Sequence, residues 1–226
     1  MIPLRDTTPS HSFPAITVLL IAINVLAFLY ELSLGRALDV FIMQYGAVPL
    51  RFILAGQMEQ VSTFERFFPL FTSMFLHGGW LHLGGNMLYL WIFGDNIEER
   101  LGRIRFLLFY LACGLAAALT QIYINPTSKI PMVGASGAVA GVLGGYLLLF
   151  PHAHVLALIP ILFFFQVVEL PAVLFLGFWF LMQFLNGAVS ITAADYATGG
   201  VAWWAHIGGF VSGMALGYVF PKRKRQ

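Results

Sequence analysis

The sequence predicts an all-α polytopic membrane protein, a single domain over residues 1–226 that folds as a bundle of six transmembrane helices. Hydrophobic residues make up 59% of the 226 residues and charged residues only 10%, whereas a soluble domain has about 25% charged residues. Several stretches approach the ~20 apolar residues of a spanning helix, in which backbone amides must be satisfied within their own segment. Short loops join these stretches, which favours one integral bundle.

Six apolar stretches follow one another along the chain. The first contains one strongly polar residue, Asn24, which could bond a neighbouring helix or be purely structural. The second and fourth are short, so they require either a recessed start or a locally thin bilayer. The predicted spans are about 13–30, 81–95, 104–124, 135–150, 170–188 and 202–220.

Two further segments are apolar but are not predicted to cross the membrane. Residues 31–66 mix charged side chains with apolar ones such as Phe41 and Ile53, which predicts an amphipathic first loop embedded in the membrane interface. Residues 155–168 contain Pro160 and Gln166 and are expected to be interfacial or partly re-entrant. Residues 1–12 are polar and are expected in the cytoplasm or at the interface.

The placement of basic residues orients the predicted bundle. A basic tail, residues 222–225, follows the last span, and cytoplasmic loops carry the excess of lysine and arginine. With six crossings, both termini are predicted on the cytoplasmic side of the cell membrane. The N-terminal stretch lacks a cleavage site of the A-x-A kind, which favours a retained anchor.

Composition also restricts partners and cofactors. The formal net charge is +2 and no basic patch indicates nucleic acid binding, so the expected surroundings are lipid and membrane proteins. The single cysteine, Cys113, excludes a disulfide within one chain and is interpreted as a buried structural thiol. No cofactor is expected.

Polar groups converge at the predicted outer ends of spans two, four and six. These ends contain His82 with Asn86, Ser136, and His206, respectively. Because polar and ionisable groups are costly inside a bilayer, their convergence in one leaflet predicts a functional site.

Ser136 begins a predicted helix, where unpaired amides and the positive dipole end favour a developing negative charge. That environment suits a nucleophile, although a helix cap or a small packing residue would explain a serine here equally well. Glycines recur every four residues in spans four and six, which predicts that the two spans touch. The rows consist of Gly137, Gly141 and Gly145 in span four and Gly209, Gly213 and Gly217 in span six.

His206 is the candidate base, because it is predicted on the glycine face of span six and an imidazole within reach can take a serine proton. Span six contains no acidic residue, so a dyad is expected. His82 and Asn86 lie four apart on one helix face and could stabilise an oxyanion or simply cap the helix. A metal site of His77, His82 and His206 is a weaker alternative, since no acidic ligand accompanies them at ligand spacing.

These residues resemble the motifs of the rhomboid family of intramembrane serine proteases, which occur in the same order on the second, fourth and sixth spans. The resemblance rests on His77 with His82-Leu83-Gly84-Gly85-Asn86, on Gly134-Ala135-Ser136-Gly137, and on Ala205-His206-Ile207-Gly208-Gly209 with Gly213.

The resemblance implies hydrolysis of peptide bonds in or beside the transmembrane segments of membrane-protein substrates, at a cavity open to the outer side. It makes Ser136 the nucleophile and His206 the base. It also assigns the oxyanion site to His82, Asn86 and the Ser136 amide. The substrate cleft is expected to be lined by Gly134, Gly137, Ala140 and His77, and a shallow pocket of this kind favours small side chains at the scissile position.

The chain departs from the family pattern at two places. The first loop lacks a tryptophan-arginine pair found in many members, and Ala140 stands where some members stack an aromatic ring on the histidine. Another residue, such as Trp203, must then orient His206. The alternative functions are an inactive relative that binds and escorts membrane helices, and a small transporter or channel.

Overall fold

The structure is a computed structural model that describes residues 1–161, 164–192 and 201–220. Within these ranges the chain is mainly helical, as predicted. The helices are α1 (Ala15–Ser33), α2 (Leu38–Tyr45), α3 (Pro49–Ala55), α4 (Thr63–Thr72), α5 (Trp80–Leu101), α6 (Arg103–Ile124), α7 (Ser136–Leu149), α8 (Ala172–Thr192) and α9 (Trp203–Val219), and the strands are β1 (Ile2–Asp6), β2 (His154–Ile161) and β3 (Phe164–Pro171).

Six of these helices, α1 and α5 to α9, occupy the six predicted spans. By length and composition, three segments of the described part of the chain could cross a membrane, namely Ala15–Ser33, Arg103–Ile124 and Ala172–Ile191, and α7 is a shorter apolar helix. The number of crossings therefore stays a prediction. The basic tail and the loop over residues 193–200 lie outside the described residues.

A three-stranded antiparallel sheet corrects the all-α prediction. Residues 155–168, predicted to be interfacial or partly re-entrant, belong to the hairpin of β2 and β3, and the polar N-terminus contributes β1 beside β2. Val155 and Ala157 are buried in the core, whereas Phe165 is exposed. An apolar run of strand length cannot be distinguished from a buried helical segment by periodicity alone, and that ambiguity explains the error.

The C-terminal end of α5 stabilises the beginning of α1. Glu98 is buried, and its carboxylate accepts hydrogen bonds from the amides of Ile16 and Thr17, at 2.9 and 2.8 Å, and from the Thr17 hydroxyl at 2.9 Å. These amides belong to the first turn of α1 and have no acceptor within the helix. This end of α5 therefore acts as a buried cap for α1. Helix α5 continues beyond residue 95, the predicted end of span two, to Leu101, and Gly102 follows with a φ of 84°.

The predicted first loop is largely helical. Residues 31–66 contain α2, α3 and the beginning of α4, which starts with a capping box between Ser62 and Glu65. The Arg66 guanidinium lies 4.2 Å from the centroid of the Phe52 ring and its Nε donates to the Phe52 carbonyl at 3.1 Å. This segment thus folds against itself through mixed polar and aromatic contacts.

Helices α7 and α9 pack backbone against backbone along the predicted glycine rows. A Cβ placed on Gly209 would lie 2.0 Å from the Gly137 carbonyl oxygen, and one on Gly213 would lie 1.9 Å from that of Gly141. Gly217 is less crowded, since a Cβ there would make only ordinary contacts at 3.5 Å or more. A Cβ on Gly145 would lie 3.6 Å from the Gly213 carbonyl oxygen but 2.9 Å from the Cζ of Phe109 on α6. The predicted contact between the fourth and sixth spans is confirmed. The glycine rows predicted from the sequence did not include Gly144, which also lies in the contact, since a Cβ on it would lie 2.0 Å from the Phe210 carbonyl oxygen.

Candidate active site

The close approach of α7 and α9 brings Ser136 and His206 together. Ser136 is the first residue of α7, and His206 lies in the first turn of α9. The Ser136 Oγ is 2.9 Å from the His206 Nε2, within hydrogen-bonding distance. Both side chains are partly exposed. A hydroxyl and an imidazole in this geometry can exchange a proton.

The second ring nitrogen of His206 contacts α8. The His206 Nδ1 lies 2.8 Å from the Oε1 of Gln183, whose side chain is buried. The rings of Trp179 and Trp203 both have centroids 6.0 Å from that of His206. Sequence reasoning anticipated an aromatic neighbour such as Trp203 but missed Gln183. An amide in an otherwise apolar span is the signal that could have identified it.

His82 and Asn86 on α5 face the backbone just before Ser136. A Cβ on Gly134, whose φ is 124°, would lie 2.6 Å from the His82 Nε2 and 3.6 Å from the Asn86 Nδ2. The Gly78 amide donates to the His82 Nδ1 at 3.4 Å, which leaves Nε2 as the protonated nitrogen of the neutral ring. Glycine at position 134 therefore allows two side-chain donors to lie against the segment that leads into α7.

His77 is not in the cleft, which corrects the prediction for this residue. Its ring is buried, and its Nε2 accepts a hydrogen bond from the Asn86 Nδ2 at 3.0 Å. Its backbone amide donates to the buried Glu31 carboxylate at 3.1 and 3.2 Å. His77 thus holds the Asn86 side chain through a hydrogen bond, without itself lining the cavity that Asn86 lines.

The polar groups of this region line one cavity of about 670 Å³. Its lining includes Ser136, His206, Gln183, His82 and Asn86, together with apolar side chains of α5, α7 and α8. Among the described residues, no group of three or more histidine, cysteine, aspartate or glutamate side chains is arranged to hold a metal ion, so the alternative His77, His82 and His206 site is not assembled there.

A known protein family matches most of this chain. Residues 65–223, which contain every residue of the cavity named above, match the family model described as the rhomboid domain. The chain belongs to the rhomboid family.

Relatives of this rhomboid occur in bacteria and in mitochondria. It is 36% identical over 156 residues to "Rhomboid protein 1, mitochondrial" of Saccharomyces cerevisiae, covering 66% of this chain and 41% of that protein. It is 35% identical over 135 residues to "Rhomboid protease GluP" of Bacillus subtilis, covering 59% and 24%, respectively. A third relative, "Putative rhomboid protease YdcA" of Bacillus subtilis, is 27% identical over 157 residues, covering 70% and 69%. The chain therefore spans less than half the length of the first two.

A second, much smaller cavity in this rhomboid lies directly beside the serine. It measures about 30 Å³ and its lining includes Ser136, Gly134, Gly137 and Ala205. Ala140, predicted to line the substrate cleft with these glycines, lies within neither cavity and is completely buried. The residue four positions after the serine lies one helical turn deeper in α7, where that helix is buried in the core.

Proposed function

We propose that this protein is an intramembrane serine endopeptidase that uses a dyad of Ser136 and His206. The observation that carries the proposal is the 2.9 Å approach of the Ser136 Oγ to the His206 Nε2 inside a cavity of about 670 Å³. Family membership and the apolar helices indicate an integral membrane protein, and two of the relatives carry the word protease in their names.

The reaction begins with attack of the Ser136 oxygen on the scissile carbonyl carbon while His206 Nε2 takes the hydroxyl proton. The carbonyl oxygen becomes an oxyanion, and His82 Nε2, the second N–H of Asn86 and the Ser136 amide are the proposed donors to it. Collapse of the tetrahedral intermediate breaks the C–N bond, and the leaving amine takes the proton from His206. Water then hydrolyses the Ser136 ester, with His206 as base again.

Helix geometry supports these roles. Ser136 is the first residue of α7, so its amide has no intrahelical acceptor and lies at the positive end of the helix dipole. One Asn86 N–H is occupied by His77, which fixes the amide and leaves the other N–H for the cavity. These donors are held in place before charge develops on the substrate.

The proposed substrates are membrane proteins cleaved in or next to a transmembrane segment. The apolar lining of the larger cavity is compatible with an apolar peptide. The proposed location is the cell membrane, with both termini in the cytoplasm and the site facing the outer side, on the basis of the positive-inside rule.

The test is cleavage of a model transmembrane substrate by the purified protein in detergent and in liposomes. We expect Ser136→Ala and His206→Ala each to abolish cleavage while the protein remains folded, as judged by its thermal transition. The control variants Ser33→Ala and His152→Ala change exposed residues away from the cavity and should retain activity. Full activity of Ser136→Ala would overturn the proposal.

The same assay distinguishes a protease from the alternative, an inactive relative. An inactive relative that binds and escorts membrane helices would capture the substrate without cleaving it, and neither Ser136→Ala nor His206→Ala would alter the capture. Cleavage that requires both residues excludes that alternative.

A further inference from the structure

Gln183 is a buried amide on an otherwise apolar helix, and both of its polar atoms have partners. Burying an amide without hydrogen bonds is costly, so a glutamine at this position requires compensation. Its Oε1 is 2.8 Å from the His206 Nδ1 and its Nε2 donates to the Trp179 carbonyl at 3.2 Å. It also lines the cavity that contains Ser136.

The two contacts of Gln183 determine which way its amide faces. The Trp179 carbonyl oxygen can only accept a hydrogen bond, so the atom next to it must be the NH2 group. The opposite orientation would place two acceptors against each other at 3.2 Å. The Oε1 therefore faces His206, and because it can only accept, the His206 Nδ1 must carry the proton.

A proton on Nδ1 decides what Nε2 can do. In the neutral imidazole one nitrogen donates and the other accepts, so Nε2 has a free lone pair directed at the Ser136 hydroxyl 2.9 Å away. This is the tautomer that a general base needs. With the proton on Nε2 instead, the ring could only donate to Ser136 and could not take its proton.

We propose that Gln183 is the positioning residue of the catalytic base, holding His206 in the Nδ1–H tautomer and in the plane required for Ser136. This inference rests on the proposed function and extends the dyad to three hydrogen-bonded residues, Ser136, His206 and Gln183, of which the third is a neutral amide from α8. Neither α7 nor α9 provides this acceptor. Ala140, four residues after Ser136, contributes only a buried methyl group.

A glutamine in this role differs from the aspartate of a soluble serine protease. It accepts the Nδ1–H without placing a negative charge in an apolar helix, where an ionised carboxylate would be costly. The bond strengthens when His206 becomes an imidazolium, because hydrogen bonds from a charged donor are stronger than those from a neutral one.

The first test is turnover of the full-length protein with Gln183→Met, which preserves side-chain length and removes the acceptor. We expect kcat to fall roughly 10- to 100-fold with little change in KM, the effect of losing one hydrogen bond to a developing cation. Asn186→Leu is the matched control, since Asn186 lies on the same helix, donates to the Met182 carbonyl at 2.7 Å, is half-buried and does not line the cavity. That variant should retain wild-type kcat.

Two measurements distinguish a role of Gln183 in positioning His206 from a role in helix packing alone. Gln183→Glu places an ionisable acceptor on Nδ1, which favours the charged imidazolium and should move the acidic limb of the kcat/KM profile to higher pH by roughly one pH unit. His82 is the titratable group that faces His206 across the cavity, so the profile is also recorded in His82→Gln. Nitrogen-15 NMR of labelled histidine, assigned with His206→Ala, should give Nδ1–H in the wild type and a changed tautomer in Gln183→Met.

The outcomes distinguish this inference from the proposed function. Loss of cleavage in Ser136→Ala and His206→Ala, together with wild-type kcat in Gln183→Met, would overturn the role of Gln183 alone. So would an unshifted pH profile in Gln183→Glu, which also decides the matter if the methionine variant does not fold. Cleavage that survives Ser136→Ala would overturn the proposed function, whereas the NMR tautomer still reports on Gln183.

Discussion

The Gly213 Cα lies so close to the Gly141 carbonyl that a methyl group added to Gly213 would sit 1.9 Å from that oxygen. The contact is between two backbones, so no side-chain rotation can relieve it. It holds α9 against α7 below the point where His206 meets Ser136. The distance between the Ser136 and His206 side chains therefore depends on glycines, which have no side chain.

Gly213→Ala should destabilise the protein and reduce activity, because the helices must separate to admit the methyl group. Overpacking of this kind costs about 1–3 kcal/mol, measurable as a lower thermal transition in detergent. Gly217→Ala is the matched control one turn further along α9, where the added Cβ would make ordinary contacts at 3.5 Å and 3.6 Å. Equal stability of the two variants would contradict the backbone contact.

His82→Ala and Asn86→Ala should each lower kcat without abolishing cleavage. Each removes one proposed donor to the oxyanion, a change that costs on the order of 10²–10³ in rate in a soluble serine protease. Steady-state kinetics on the model substrate measure the effect. Asn186→Ala provides the control for loss of an amide outside the cavity, and undiminished kcat in both site variants would refute the oxyanion assignment.

The cavity of about 30 Å³ beside Ser136 predicts cleavage after or before a small side chain. In a cavity this small a methyl group is favoured over the larger isobutyl group, which would overpack it. Replacing alanine with leucine at the scissile position should slow cleavage at least roughly tenfold. The same change placed away from the scissile bond is the control, and equal rates for both substrates would be inconsistent with this pocket.

Glu98→Ala should lower stability more than a surface substitution does. It leaves two amides and one hydroxyl at the beginning of α1 without their acceptor, and each buried unsatisfied group costs about 1–3 kcal/mol. Thermal unfolding in detergent measures the loss. The neighbouring Glu99 accepts a hydrogen bond from the exposed His11 amide, so Glu99→Ala is the control and should have a much smaller effect.

His77 should make the protein sensitive to acid. Burial lowers the pKa of His77 to about 4, from an ordinary value of 6.5. Between these values the unfolded chain binds a proton that the folded protein does not, so this contribution to stability is complete above pH 6.5 and is lost as the pH falls toward 4. Each pKa unit corresponds to about 1.4 kcal/mol.

The measurement is the thermal transition of wild type and His77→Asn between pH 7 and pH 4. The wild type should lose stability across this window more steeply than the variant. His152→Asn changes an exposed histidine and should follow the wild type. Parallel curves for wild type and His77→Asn would contradict the effect.

Several features follow from the sequence alone because they depend on local composition and spacing. Long apolar stretches predict helices in a membrane, since the backbone has no alternative hydrogen-bond partners there. Glycine at every fourth position predicts a close helix contact, and α7 and α9 make that contact. The motifs around His82, Ser136 and His206 also predict the family to which the chain belongs.

Other features depend on contacts between residues far apart in the chain. Residues 155–168 are strands because they pair with each other and with β1, which a short apolar run does not reveal. Glu98 caps the beginning of α1 through the amides of Ile16 and Thr17, which lie 82 and 81 residues earlier in the chain.

The residues of the candidate site fall into the same two groups, those predicted from the sequence and those that only the tertiary structure brings to the site. The sequence predicts a nucleophile and base pair of Ser136 and His206 from residue type and predicted depth. Only the tertiary structure places His77 behind Asn86 and brings Gln183 to the Nδ1 of His206. In a neutral imidazole the proton lies on the nitrogen whose partner can only accept a hydrogen bond. The acceptor for Nδ1 comes from α8, and it is in place only after the helices have packed.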